Sequence, residues 1–250
     1  MKNIRAYMAG LLLASLLAVG IGVSLETYTY TAPQHTVIQR SEEGSAATND
    51  AQPMAELPPV VTLPTAQPAI PAVYKFLATS NDGLPARWDP CTTLTWGIDW
   101  SAAPVGFKRK AFEKEAIQAM RELRSATGLG FKRSFEPDNT SILIEFAPRE
   151  DMPTEDTLAY ASVFLGGSDK AKQIIKSVIT VDPTMRERPE YRPPSFRSVI
   201  LHELGHSVGL DHADVKSEVM FPYSQDLISF QQGDRVALKK LGATNGCTPS

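Results

Sequence analysis

Eleven consecutive residues constrain this chain more than anything else in it: His202-Glu203-Leu204-Gly205-His206-Ser207-Val208-Gly209-Leu210-Asp211-His212. His202 and His206 stand four apart, so a helix through them puts both imidazoles on one face, one turn apart. That suits two ligands of a single tetrahedral ion. The helix must then stop if His212 is to reach the same ion, and Gly209 tolerates the backbone conformation such a stop requires. Glu203 lies beside the first ligand, where a carboxylate can take a proton from a water that the ion has acidified. A chance arrangement on an amphipathic helix, with Val199, Leu201, Leu204 and Val208 as core, is the bland alternative. It has to place three of only four histidines in the chain at these spacings. A purely structural zinc site would normally fill all four positions with protein ligands and has no use for Glu203.

The surrounding pattern predicts a mixed domain. Leu94, Trp96, Ile98 and Trp100 alternate with Thr95, Gly97 and Asp99, the period of a half-buried strand. A helix is expected from about Phe107 to Ala126, with Phe112, Ala116, Ile117, Met120 and Leu123 on one face and Gly128 at its exit. Lys108, Arg109 and Lys110 then read as its solvated start. Further strands are expected at Ser141 to Ala147, Leu158 to Leu165 and Ile174 to Val181. The motif helix should start near Ser195, an N-cap residue after Pro193 and Pro194, and end at Gly209. A last helix is expected around Gln231 to Leu241.

The histidine motif resembles that of the metzincin zinc peptidases, and its continuation resembles the matrixin branch, peptidase family M10. Met220, eight residues past His212 in Glu218-Val219-Met220-Phe221-Pro222, resembles the family's Met-turn, a tight loop with a methionine beneath the ligands. The resemblance covers about Leu94 to Leu241. It implies an α+β zincin-like domain: a twisted five-stranded, mostly parallel sheet with an antiparallel edge strand, two long helices and a C-terminal helix. It also implies a zinc metalloendopeptidase acting on protein or peptide substrates, with His202, His206 and His212 as zinc ligands, Glu203 as catalytic general base and Met220 as an apolar floor. Leu158-Ala159-Tyr160-Ala161 is similar to the edge strand that binds extended substrate by strand addition. The chain also departs from the pattern. His35 is the only further histidine, so the second, structural zinc of matrixins is not expected, and no cysteine precedes Cys91 to serve as a propeptide switch. Ala213 follows His212 in place of the usual serine, and the tyrosine of the specificity-pocket wall comes one place early, at Tyr223. A zinc hydrolase of another substrate, such as a cell-wall peptide amidase, shares the helical motif. A non-catalytic binding protein on the same fold would be expected to have lost Glu203 or a ligand.

Upstream, Lys2 and Arg5 precede an uncharged run from Ala6 to Leu25, the pattern of a secretory signal. At about 20 residues the run is also long enough for an uncleaved membrane anchor. Residues 26–73 read as a Pro/Ala/Thr-rich disordered linker and residues 74–250 as the folded domain. Either outcome places the domain outside the cytoplasm, secreted or tethered by residues 6–25. In such a compartment Cys91 and Cys247 are most simply a disulfide. The rival role for Cys91, a thiolate blocking the zinc, is limited by reach: only two residues separate it from the strand at Leu94, about 10 Å of chain. The net charge of −3 gives no reason to expect nucleic acid. Calcium is common in such domains, and Asp156, Asp169 and Asp182 are possible oxygen ligands, with no site assigned.

Overall fold

The computed structural model describes residues 26–29, 74–168, 171–187 and 195–247. The expected signal or anchor at 6–25, residues 30–73 of the expected linker, and Asp169 lie outside them.

The alternating segments form the sheet. Strands β2 (Leu94–Ile98) and β4 (Ile142–Phe146) pair in parallel, and β4 pairs in parallel with β6 (Ala171–Val181). Ile142, Ile144 and Phe146 are buried while Leu143 and Glu145 are half-buried, so the period-two pattern marks the core face. Antiparallel β5 (Ala159–Ser168) lies outside β6. On the far side, β3 (Phe131–Arg133) pairs in parallel with β2. These five strands make the mixed, mostly parallel sheet of the expected α+β class. Periodicity did not expose β3, because three residues carry no readable alternation.

A sixth strand, β1 (Glu26–Thr29), joins the outer edge of β5 antiparallel, with Glu26 opposite Leu165 and Thr29 opposite Ser162. These four residues fall in the segment expected to be linker. Two threonines and a tyrosine suit an extended backbone, and the open edge of β5 supplies its hydrogen-bond partners.

Helix α1 (Arg109–Thr127) buries Phe112, Ala116, Ala119, Met120 and Leu123 and ends at Gly128, whose φ of 72° allows its N–H to reach the Arg124 carbonyl. Phe112 packs against Phe107, Phe146, Phe196 and Trp100, with ring centroids 4.9–5.9 Å apart, locking α1 to the sheet and to the next helix. Each such large apolar side chain contributes roughly 1.5–3 kcal/mol by burial. That next helix, α2 (Phe196–Ser207), starts as its sequence predicts: the Ser195 hydroxyl accepts the Ser198 N–H at 3.2 Å. Every residue of it but Arg197 is buried, including two histidines and a glutamate. Charged or titratable groups take up so central a position only where partners or function hold them there.

Helix α3 (Gln232–Leu241) opens with a capping box between Gln231 and Asp234. Its Arg235 pairs with Glu122 on α1, and Glu122 also accepts the Phe230 N–H. Cys91 and Cys247 form the expected disulfide, joining ends of the domain 156 residues apart. Arg87 reinforces the closure by donating to the Asn245 and Gly246 carbonyls. Among the described residues no helix is long and apolar enough to cross a membrane.

Candidate metal centre

The last turn of α2 delivers two of the motif's imidazoles, and a tightly held turn delivers the third. Gly209, with φ of 111°, donates its N–H to the His206 carbonyl, and the Leu210 N–H returns to the Gly205 carbonyl. A Cβ at Gly209 would lie 2.8 Å from the Ala86 carbonyl oxygen, so conformation and space both call for glycine. The reversal is strapped from outside by the start of the domain: Leu77 N–H donates to the Gly209 carbonyl and Asp211 N–H to the Lys75 carbonyl, each at 2.9 Å. His212 follows this strap and turns its ring back toward α2.

The result is a compact triad. His202 Nε2 lies 3.1 Å from His206 Nε2 and 3.2 Å from His212 Nε2. Tetrahedral zinc with Zn–N near 2.0–2.1 Å needs nitrogen–nitrogen edges of about 3.3 Å, close to these separations. Tautomers agree with ligation. A carbonyl can only accept, so His202 Nδ1–H donates to Val219 at 2.7 Å and His206 Nδ1–H to Leu210 at 2.8 Å, leaving both Nε2 lone pairs for an ion. Burial, with His202 and His212 nearby, holds His206 well below the usual histidine range, against a smaller opposing effect of the Leu210 carbonyl. It is therefore neutral at physiological pH, as a ligand must be.

Glu203 is only 2% exposed. Burial pushes its carboxyl up to about 8, opposed by a hydrogen bond from the Ala161 N–H of β5. Its Oε2 is buried without a partner in the protein. A cation beside it would favour the ionised form, and an orphaned carboxylate oxygen on a residue that lines the same recess as His202 suits a water or substrate group. The donor set and the orphaned oxygen therefore fit a catalytic rather than a closed structural zinc site.

Met220 lies under this helix: a Cβ on Gly205 would meet its sulfur at 2.2 Å, so the absence of a side chain at 205 lets the methionine seat between the positions of the two helical ligands. Its carbonyl accepts the N–H of Ala213, next to His212. Beside Glu203 opens a small, shallow recess lined by Ser198, Val199, Val219, Ser224, Gln225 and Leu227 along with His202 and Glu203. Tyr223, marked in the sequence as a pocket-wall residue, does not line it and packs on Phe221 with ring centroids 5.7 Å apart. Of the calcium candidates, Asp182 accepts the Thr184 N–H and hydroxyl, both at 2.7 Å, as a turn residue does. Among the described residues the only other trio of close ligand types is Asp89 with Cys91 and Cys247, whose sulfurs are bonded to each other.

Sequence reasoning placed Ala161 on the edge strand and Glu218 and Val219 in the Met-turn segment but missed the Ala161 N–H and Val219 carbonyl contacts with the site and the carboxylate contacts of Glu218 and Asp234 beside it. Only Asp234 left a trace, as the acidic partner three residues after Gln231 at a helix start. Residues 87–242 match the family model described as matrixin, Peptidase_M10. No curated protein matches the chain.

Proposed function

The chain belongs to the matrixin family, and from that premise we propose that it is a zinc-dependent endopeptidase with His202, His206 and His212 as the ligands and Glu203 as general base. The observation that carries this reading is the cluster of His202 Nε2 with the Nε2 atoms of His206 and His212, 3.1 and 3.2 Å from it, together with the partnerless, buried Oε2 of Glu203 in the recess that His202 also lines. Zinc, when bound, supplies Lewis acidity that polarises a scissile carbonyl and lowers the pKa of water. Glu203 accepts the proton of the attacking water at Oε2 and passes it to the leaving amine. The Ala161 N–H holds this carboxyl in place from the strand side. Ala159, Tyr160 and Ala161 lie on the edge of β5 beyond the residues that β1 pairs, and an extended peptide is read as adding there, its scissile bond beside the triad. The recess beside Glu203 takes one side chain of that peptide. Met220 supports the ligand helix from below as a non-ligating floor.

Export fits the same reading: the disulfide belongs to an oxidising compartment, and the positive flank before residues 6–25 suits translocation. The test is zinc content and cleavage of unfolded casein by the full chain, beside Glu203→Gln, with and without a chelator. One equivalent of zinc and chelator-sensitive cleavage lost in the variant is the expected result. Turnover by Glu203→Gln at the wild-type rate overturns the general-base assignment.

A further inference from the structure

Val219 is tied from both of its backbone sides. Its carbonyl takes the Nδ1–H of His202 at 2.7 Å, and its N–H donates to Oδ2 of Asp234 at 2.8 Å. The next N–H, of Met220, donates to Oδ1 of Asp234 at 3.3 Å. The chain folds back on itself here: Glu218, just before Val219, accepts the backbone N–H of Asp234 at 2.9 Å through Oε2. The turn at 218–221 and the first turn of α3 thus grip each other through two carboxylates, each binding backbone of the other's element. Asp234 is 1% and Glu218 7% exposed.

A helix cap alone does not call for this arrangement. Asp234 already satisfies the Gln231 N–H at 3.0 Å within its own capping box, and a cap works at the surface at no desolvation cost. Burying a second carboxylate within reach of the first is unfavourable unless the groups it fixes matter. The backbone they fix is the one that sets the Val219 carbonyl against His202. A carbonyl in that position decides the tautomer and ring orientation of a histidine ligand and raises its basicity.

We infer that Asp234 and Glu218 are positioning residues for the metal centre, forming a reciprocal clamp that holds the Val219 carbonyl so that His202 presents its Nε2 lone pair to the ion. The inference rests on the zinc reading of the triad. Asp234→Asn keeps the shape but turns an N–H₂ group toward backbone donors, breaking one side of the clamp. Glu218→Ala removes the reciprocal half, whereas Glu218→Gln retains an oxygen that can accept the Asp234 N–H.

The experiment uses the full chain. Zinc affinity is measured by competition with a chromophoric chelator, ligand geometry by the visible absorption of the cobalt-substituted protein, and folding by near-ultraviolet circular dichroism of the metal-free forms. Asp234→Asn should raise the zinc dissociation constant about tenfold or more and alter the cobalt bands. Glu218→Ala should shift both in the same direction, and Glu218→Gln should restore them. A folded Asp234→Asn protein with wild-type zinc affinity and cobalt spectrum overturns the inference and leaves Asp234 a helix cap. Should Asp234→Asn fail to fold, the Glu218 pair decides: loss in Ala restored in Gln supports the clamp, and wild-type affinity in both overturns it. A wild-type chain that takes up neither metal overturns the zinc reading itself, an outcome distinct from wild-type binding with unaffected variants.

Discussion

Replacing Gly205 by alanine sets two opposed effects against each other at the centre of the ligand helix. Alanine is better than glycine inside a helix by about 0.8–1.0 kcal/mol. Against that, the new Cβ would stand 2.2 Å from the Met220 sulfur and 3.1 Å from its terminal methyl carbon. Met220 is 1% exposed and its backbone is held at both ends, by Asp234 at the N–H and by Ala213 at the carbonyl, so only its side chain can yield, into packed surroundings. Overpacking of this kind costs about 1–3 kcal/mol, so the net expectation is a loss of up to about 2 kcal/mol. For a domain of this size the upper end corresponds to a midpoint lowered by about 4–8 °C. Thermal unfolding of wild type, Gly205→Ala, Met220→Ala and the double variant, metal-free and with zinc, measures it. The cause would show as coupling: Met220→Ala makes room for the new methyl, so the double variant should lose less than the two single losses combined. A Gly205→Ala protein as stable as wild type, with additive losses in the double variant, would refute the packing argument.

Removing the disulfide by Cys91→Ala with Cys247→Ala should cost about 5 kcal/mol in urea unfolding, from the loop entropy of a 156-residue closure, and an unchanged midpoint would count against the staple. In the wild type neither thiol should react with a thiol reagent until reduced. Glu203 has a folded-state pKa raised by burial from 4.5 to about 8. Its contribution is therefore present below pH 4.5 and lost as pH rises toward 8, by on the order of 4 kcal/mol. Metal-free wild type should weaken more steeply over that window than metal-free Glu203→Gln, in which the buried carboxyl of Asp234 still titrates, and parallel pH profiles would sink the assignment. Gly209→Ala, at φ of 111° and against the Ala86 carbonyl, should destabilise by about 1–3 kcal/mol and weaken zinc binding through His212; unaltered zinc affinity would show that the turn tolerates a side chain.

The clustering of His202, His206 and His212 was legible because helical geometry turns a spacing of four into a shared face, and a glycine before the third histidine signals the reversal. The long strands and helices were legible for the same reason, since their periods are properties of local backbone. What stayed hidden depends on contacts between distant segments. Asp234 reads locally as a helix cap, and nothing in its neighbourhood announces that it also holds Val219, fifteen residues earlier. Tyr223 stands one place early for the family's pocket-wall tyrosine, and the turn after Met220 presents Ser224 and Gln225 to the recess. The pairing of Glu26–Thr29 with β5 is invisible for the same reason: its strand partner lies more than a hundred residues downstream, and its own composition is ordinary.

The strap at the start of the domain sets how much of the chain before it the third histidine depends on. The backbone of Lys75 and Leu77, together with the bridge between Phe76 and Leu210, holds the loop that carries His212. Trimming that leaves a new N-terminus at or before Tyr74 keeps these hydrogen bonds and hence the third imidazole in place. A chain that begins only a few residues later lacks them, so the backbone from Lys75 to Leu77 marks the N-terminal limit of a domain that still holds the His212 loop.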